Sequence, residues 1–179
     1  MGDPLGYRRR VREIAAEYGL DPDIMERQID QESGFSPRAK SSQGAMGIAQ
    51  FMPATGKDYG LRKESDFYDP EKSLRAHGKY MSHLLKQYGG YPGALAHYNG
   101  GGKAGRAARD GRLGDLRDET REYLEIVLPK PPTPEATGIP MMSAAGGLNI
   151  LGPLLFGVEQ EAGMGSVISD YMSGKRKPQ

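Results

Sequence analysis

Residues 32–53 read ESGFSPRAKSSQGAMGIAQFMP. Glu32 closes an amphipathic segment, and a glycine-punctuated loop of small polar residues follows it at once. A carboxylate at the end of a helix, at the wall of a groove lined by such a loop, suits a single acid catalyst. Just upstream, Asp21-Pro22 joins a capping side chain to a proline at the first helical position, so a helix is predicted from there to about Glu32. Ile24, Gln28 and Glu32 recur at i, i+4 and i+8, with Met25 and Ile29 beside them. That spacing puts Glu32 on the edge of an apolar stripe.

The same signals recur outward in both directions. Val11, Ile14, Ala15 and Tyr18 share one face of a helix expected over Tyr7 to Tyr18, with Gly19 as its stop. Ser33 to Met46 reads as loop, Gly47 to Phe51 as a short helix, and Met52-Pro53 as the start of another that ends near Gly60. Asp69-Pro70 repeats the cap-plus-proline signal and opens a long helix to about Tyr88, ended by Gly89-Gly90. Tyr91 to Asn99 reads as a shorter helix. Residues 100 to 115 read as a glycine- and arginine-rich loop with a short helix at 103 to 109, and Thr120 to Leu128 as the last helix of the domain. No stretch alternates as a strand does, so the expected class is all-α.

Protonating a glycosidic oxygen near neutral pH needs a carboxylic acid whose pKa is raised, and removal from water against an apolar wall raises it. Ile29, Phe35 and Met52 are candidate wall residues, and Glu32 is expected to be partly buried and shifted upward. Most glycosidases add a second carboxylate about 5 to 9 Å away. No partner stands out here: Asp30 should point elsewhere, and Asp58, Glu64, Asp66 and Asp69 have no supporting pattern. Gln50 offers both a donor and an acceptor for sugar hydroxyls. Tyr98 is an amphipathic ring that suits either a core or a groove.

Three ordered segments resemble the lytic transglycosylases of the soluble type. The first runs through Glu32, Ser33, Ser41, Gly44, Ala45, Gly47, Gln50, Met52 and Pro53. The second is Ala96-His97-Tyr98-Asn99-Gly100-Gly101, and the third Glu119-Thr120-Arg121-Glu122-Tyr123. The resemblance implies a goose-type lysozyme-like fold and cleavage of peptidoglycan between N-acetylmuramic acid and N-acetylglucosamine. It implies Glu32 as the acid and then the base, a 1,6-anhydro product and no water consumed. It further implies supporting roles for Ser41, which orients the carboxylate, and for Tyr98. Ser33, Gln50, Met52, Asn99 and Glu119 are implied as groove residues. His97 stands where the family usually has a small residue, and Gly100-Gly101-Gly102 departs from its Ala-Gly-Pro-Gly, which predicts a more mobile loop there.

Other chemistries are excluded by what the chain holds. With 24 basic and 23 acidic residues among 179, there is no electrostatic case for nucleic acid. There is no cysteine for a disulfide or thiolate site. His77, His83 and His97 lack metal-ligand spacing and read as helix-face residues, so no metal or other cofactor is expected. Gly100, Gly102 and Gly105 fit G-x-G-x-x-G but follow a helical segment, which argues against a dinucleotide loop. Arg8-Arg9-Arg10 with Arg12 reads as a solvated face, with anionic stem peptides as a possible partner.

The expected organisation is a catalytic domain over 1–128, a Pro-rich linker over 129–140 and an apolar Gly/Ala/Met-rich tail over 141–179. From Ile139 to Val158 no residue is charged, a length at the threshold for a membrane span. Its glycines and prolines favour instead an extended arm packed on a partner, such as a phage tail or ejection protein. The start carries no apolar run of signal-peptide length. That points to a wall-cutting enzyme of a phage particle, made in the cytoplasm and acting in the periplasm. The alternatives are a periplasmic accessory of a secretion or conjugation machine, and an inactive lysozyme-like adaptor.

Overall fold

The computed structural model describes residues 6–129, and the linker beyond Pro129 and the tail lie outside the described residues. Among the described residues seven α-helices follow one another: α1 (Tyr7–Glu17), α2 (Pro22–Ser33), α3 (Pro53–Asp58), α4 (Glu64–Phe67), α5 (Pro70–Tyr88), α6 (Tyr91–Arg109) and α7 (Asp118–Val127). A 3-10 turn, Leu113–Asp115, joins α6 to α7. The described residues contain no named strand, only isolated antiparallel bridges from Met46 to Lys40 and to Phe51. The all-α expectation holds.

Local chemistry sets the boundaries. The Asp21 carboxylate accepts from the backbone N–H of Asp23 at 2.8 Å and of Ile24 at 3.1 Å, a cap that contributes about 1 kcal/mol. At its other end α2 stops because Gly34 is left-handed (φ 59), and Phe35 is left-handed too (φ 61). For a residue with a side chain that conformation costs about 1 to 2 kcal/mol. Burial of the Phe35 ring, with the Arg8 guanidinium 4.2 Å from its centroid, offsets the cost. The paired left-handed residues turn the chain sharply just after Glu32, so the loop folds back over the end of α2.

The long helices α5 and α6 pack together at the centre, burying Leu74, Met81 and Leu84 beside Ala94, Leu95 and Ala96. Helix α1 packs on α2 and α5, and α7 on α2 and α6. Arg27 on α2 donates from Nε to the Val127 carbonyl at 2.7 Å, which ties the last turn of α7 to α2.

Three expectations need correction. Gly47 to Phe51 is a turn, not a helix. Its carbonyls are taken by side chains from elsewhere, as described below, and Met46 and Phe51 exchange two backbone bonds of 3.0 Å. The triple glycine is not a loose loop: α6 runs through it to Arg109 and breaks only at Gly101 (φ 79, ψ −175). A Cβ on Gly100 would lie 2.8 Å from Thr120 Oγ1, and one on Gly105 would lie 2.7 Å from the Tyr88 ring, so these glycines serve close packing. The arginine run is not simply solvated either. Arg10 is bidentate to Glu71 at 2.7 Å, Arg8 pairs with Glu26 and Arg12 with Asp23, which joins α1 to α5 and α2. His77, on the face of α5 that also carries Leu74 and Met81, is fully buried, and burial pushes its pKa down to about 3, leaving the imidazole neutral.

Candidate active site

Glu32 sits on the last turn of α2, and the Tyr123 hydroxyl donates to its Oε1 at 2.6 Å. Burial raises its pKa to about 7, while the bond from Tyr123 pulls in the other direction. Desolvation therefore dominates, as expected from the apolar stripe. Among the described residues, no second carboxylate perturbs the group. The bond to Oε1 leaves Oε2 as the oxygen free to carry and release a proton. The Glu32 charge also raises the phenols of Tyr98 and Tyr123, whose pKa values lie well above the usual tyrosine range with burial as the leading cause. Both tyrosines stay protonated and act as donors.

The loop is held against the end of α2 and against α6 by side chains that reach main-chain carbonyls. Ser33 donates to the Ile48 carbonyl at 2.7 Å. Tyr98, on α6, donates to the Ala49 carbonyl at 2.6 Å. Gln50, itself left-handed (φ 48), turns its amide back to the Gly47 carbonyl at 2.8 Å. Ser41 accepts the Ala45 N–H at 3.0 Å within its own turn and makes no bond to Glu32. Ser33, Gln50 and Tyr98 thus converge on the Gly47–Gln50 turn, and Ser41 shapes the loop further out.

The remaining expected residues fall at different depths. Met52 is 46% exposed at the start of α3, available to a ligand and not a wall that dries Glu32. Asn99 accepts from the Thr120 hydroxyl at 2.7 Å, which locks α6 to α7 beside Gly100. Glu119 is exposed on the first turn of α7, pointing to solvent while its neighbour Thr120 is buried.

Two features were not assigned from the sequence. The first is Tyr123 as the partner of Glu32. The residue was visible in the third motif, but its contact spans 91 positions and no local pattern encodes it. The second is an aromatic wall leading away from Tyr98. The Tyr80 ring lies 5.4 Å from Tyr98, and Tyr59 lies 4.6 Å from Tyr80. His97 is edge-on to both Tyr80 and Tyr88, with Nδ1 2.7 Å from the Tyr88 hydroxyl. Burial, with the nearby Arg106 charge second, holds its pKa down. Aromatic faces of this kind suit the apolar faces of pyranose rings.

An all-helical lysozyme-like domain with one dried glutamate beside the residue that clamps its loop defines the class of protein. Residues 9–114 match the Transglycosylase SLT domain, and the chain belongs to that family. It is 34% identical over 101 residues to the transglycosylase of Enterobacteria phage PRD1, covering 56% of this chain and 37% of that protein. It is 28% identical over 174 residues to the peptidoglycan transglycosylase gp16 of Escherichia phage T7, covering 92% of this chain but 13% of that protein. The chain therefore spans well under half the length of either relative. Among solved structures, an inactive mutant of the lytic transglycosylase Slt from Pseudomonas aeruginosa matches with a TM-score of 0.60 and 26% identity, over 69% of this chain and 23% of that one.

Proposed function

We propose that the domain is a peptidoglycan lytic transglycosylase in which Glu32 is the single acid–base group. The observation that carries this is the Glu32 carboxyl with its pKa raised to about 7 by burial, with no second carboxylate acting on it among the described residues. In the first half of the reaction Glu32 gives its proton to the glycosidic oxygen between N-acetylmuramic acid and N-acetylglucosamine, and the C1–O bond breaks. In the second half the C6 hydroxyl of the same muramic acid attacks C1, and the Glu32 carboxylate takes its proton. The bond broken is replaced by a 1,6-anhydro ring, Glu32 is regenerated and no water enters. Tyr123 holds the carboxyl in place. Tyr98 and Ser33 fix the loop whose Gln50 faces the sugar, and Met52, Asn99 and Glu119 line the groove further along. The aromatic wall carries sugar rings on the side of Tyr80 and Tyr59.

The phage relatives favour a cell-wall enzyme carried in a particle to open the host wall during genome delivery. In that setting residues 129–179 would link and anchor the catalytic domain to tail or ejection proteins. Digestion of purified peptidoglycan followed by mass spectrometry tests the chemistry. The expected products are lighter by one water than those of a lysozyme. Reducing ends in place of anhydro ends would make it a hydrolase and reject the mechanism.

The Tyr123 bond gives the rate profile a direction. The acid form of Glu32 starts the reaction, so activity should fall as pH rises through about 7. Tyr123→Phe removes the bond that lowers this pKa, so the alkaline limb should move to higher pH. A pH profile of kcat/KM for both proteins is the measurement. An unmoved limb would mean that Glu32 is not the titrating acid.

A further inference from the structure

A cleft of about 450 Å³ opens between the second half of α6, the 3-10 turn and the start of α7. Its lining includes Lys103, Arg106 and Arg117, while Ala107 and Leu116, both nearly inaccessible to solvent, supply an apolar floor. The lining also holds Arg112 and one carboxylate, Asp115, which pair with each other, and Arg112 pairs with Asp110 as well. Outside the lining Arg109 pairs with Asp110 and Arg121 with Asp118. Lys103, Arg106 and Arg117 have no ion pair or side-chain hydrogen bond among the described residues. Three unpaired cations around one concavity repel one another, and an anion that enters relieves the repulsion.

The cleft adjoins the site already described. Thr120, which lines it, donates to Asn99, and Tyr123, one turn further along α7, holds Glu32. Residues 120 and 123 are about 4.5 Å apart along a helix axis. The cleft and the Glu32 site thus share helix α7, one turn apart. The cleaved glycan backbone is largely uncharged and offers these cations little. The stem peptide on each muramic acid carries several carboxylates beside alanine methyl groups, which matches a basic rim over an apolar floor. The volume falls within the range of small-ligand sites.

We propose that this cleft binds the anionic stem peptide of peptidoglycan, with Lys103, Arg106 and Arg117 taking its carboxylates, an assignment that rests on the transglycosylase reading. It makes peptide-bearing strands better substrates than bare ones. The arginine run on α1 cannot serve in the same way, since Arg8, Arg10 and Arg12 are committed to Glu26, Glu71 and Asp23.

The test uses the full chain. Calorimetric titration with a free alanine–glutamate–diamino acid stem peptide should give binding that weakens about tenfold in the triple variant Lys103→Gln, Arg106→Gln, Arg117→Gln. Removal of three charges elsewhere (Arg9→Gln, Arg62→Gln, Lys86→Gln) should leave binding as in the wild type, and melting curves check that both variants fold. In kinetics, the preference in kcat/KM for intact over amidase-stripped strands should shrink towards one in the cleft variant. Equal peptide affinity in the wild type and the cleft variant would overturn the proposal. So would cleft-dependent binding of inorganic phosphate without binding of the peptide. Peptide binding through these three residues in a chain that cleaves neither substrate would leave the cleft assignment standing and reject the transglycosylase reading.

Discussion

Glu32→Gln should lower turnover of peptidoglycan by about a thousandfold or more while leaving the fold intact. The substitution is close to isosteric, and the amide oxygen can still accept from the Tyr123 hydroxyl that now bonds Oε1 at 2.6 Å. What is lost is the transferable proton. Burial has prepared that proton by raising the pKa to about 7, a cost that an amide does not bear, so the variant should melt no lower than the wild type. Strand binding should persist because Gln50 and the Tyr80–Tyr59 wall are untouched. Release of soluble fragments from sacculi measures the rate, and co-sedimentation with sacculi measures binding. Retention of activity within tenfold of the wild type would remove Glu32 from the chemistry, and a wild type that releases no fragments would leave the adaptor reading in its place.

Gly47→Ala should be among the most destabilising single changes in the domain. Gly47 has φ +78, which alone costs a residue with a side chain about 1 kcal/mol or more. The larger penalty is steric. A Cβ there would lie 1.8 Å from the Phe67 carbonyl oxygen and 2.8 Å from its carbon. Both atoms are backbone, so no rotamer change relieves the clash, and either the loop or the end of α4 must shift. A loss of about 3 kcal/mol follows, with a fall in Tm of about 10 °C or more. Gly44→Ala is the matched control. Its φ is +89, yet a Cβ there meets nothing within 4 Å, so it should show only the conformational cost. Scanning calorimetry of the two variants decides the matter. If they melt alike, the approach to Phe67 is not what Gly47 provides.

Much of this architecture could be read along the chain because its signals are local. Asp21-Pro22 and Asp69-Pro70 mark the starts of α2 and α5, and Gly34 and Gly89 their ends, through capping geometry that depends on few neighbours. The drying of Glu32 followed from the helical spacing of Ile24, Gln28 and Glu32. Readings failed where a distant partner decided the outcome. Glycine composition argued for a loop over 100–102, but the packing of Gly100 on Thr120 and Gly105 on Tyr88 and His97 keeps α6 helical on both sides of Gly101. At Gly47–Phe51 the carbonyls that a helix would use internally are claimed by Ser33 and Tyr98. The short helix α4 was missed because it depends on Asp66, whose carboxylate accepts from the backbone of Arg62 and Lys63 and from Lys72 at 2.6 Å.

Helix α7 closes the described domain, and it carries the hydroxyl that meets Glu32 across 91 positions. On a translating ribosome, Glu32 emerges long before its partner does. Until α7 clears the exit tunnel and docks, that glutamate remains wetted and ordinarily acidic, with no proton to lend near neutrality. On the proposed chemistry, a chain built in this order is born harmless, and it acquires its acid only as the last turns of α7 fall into place.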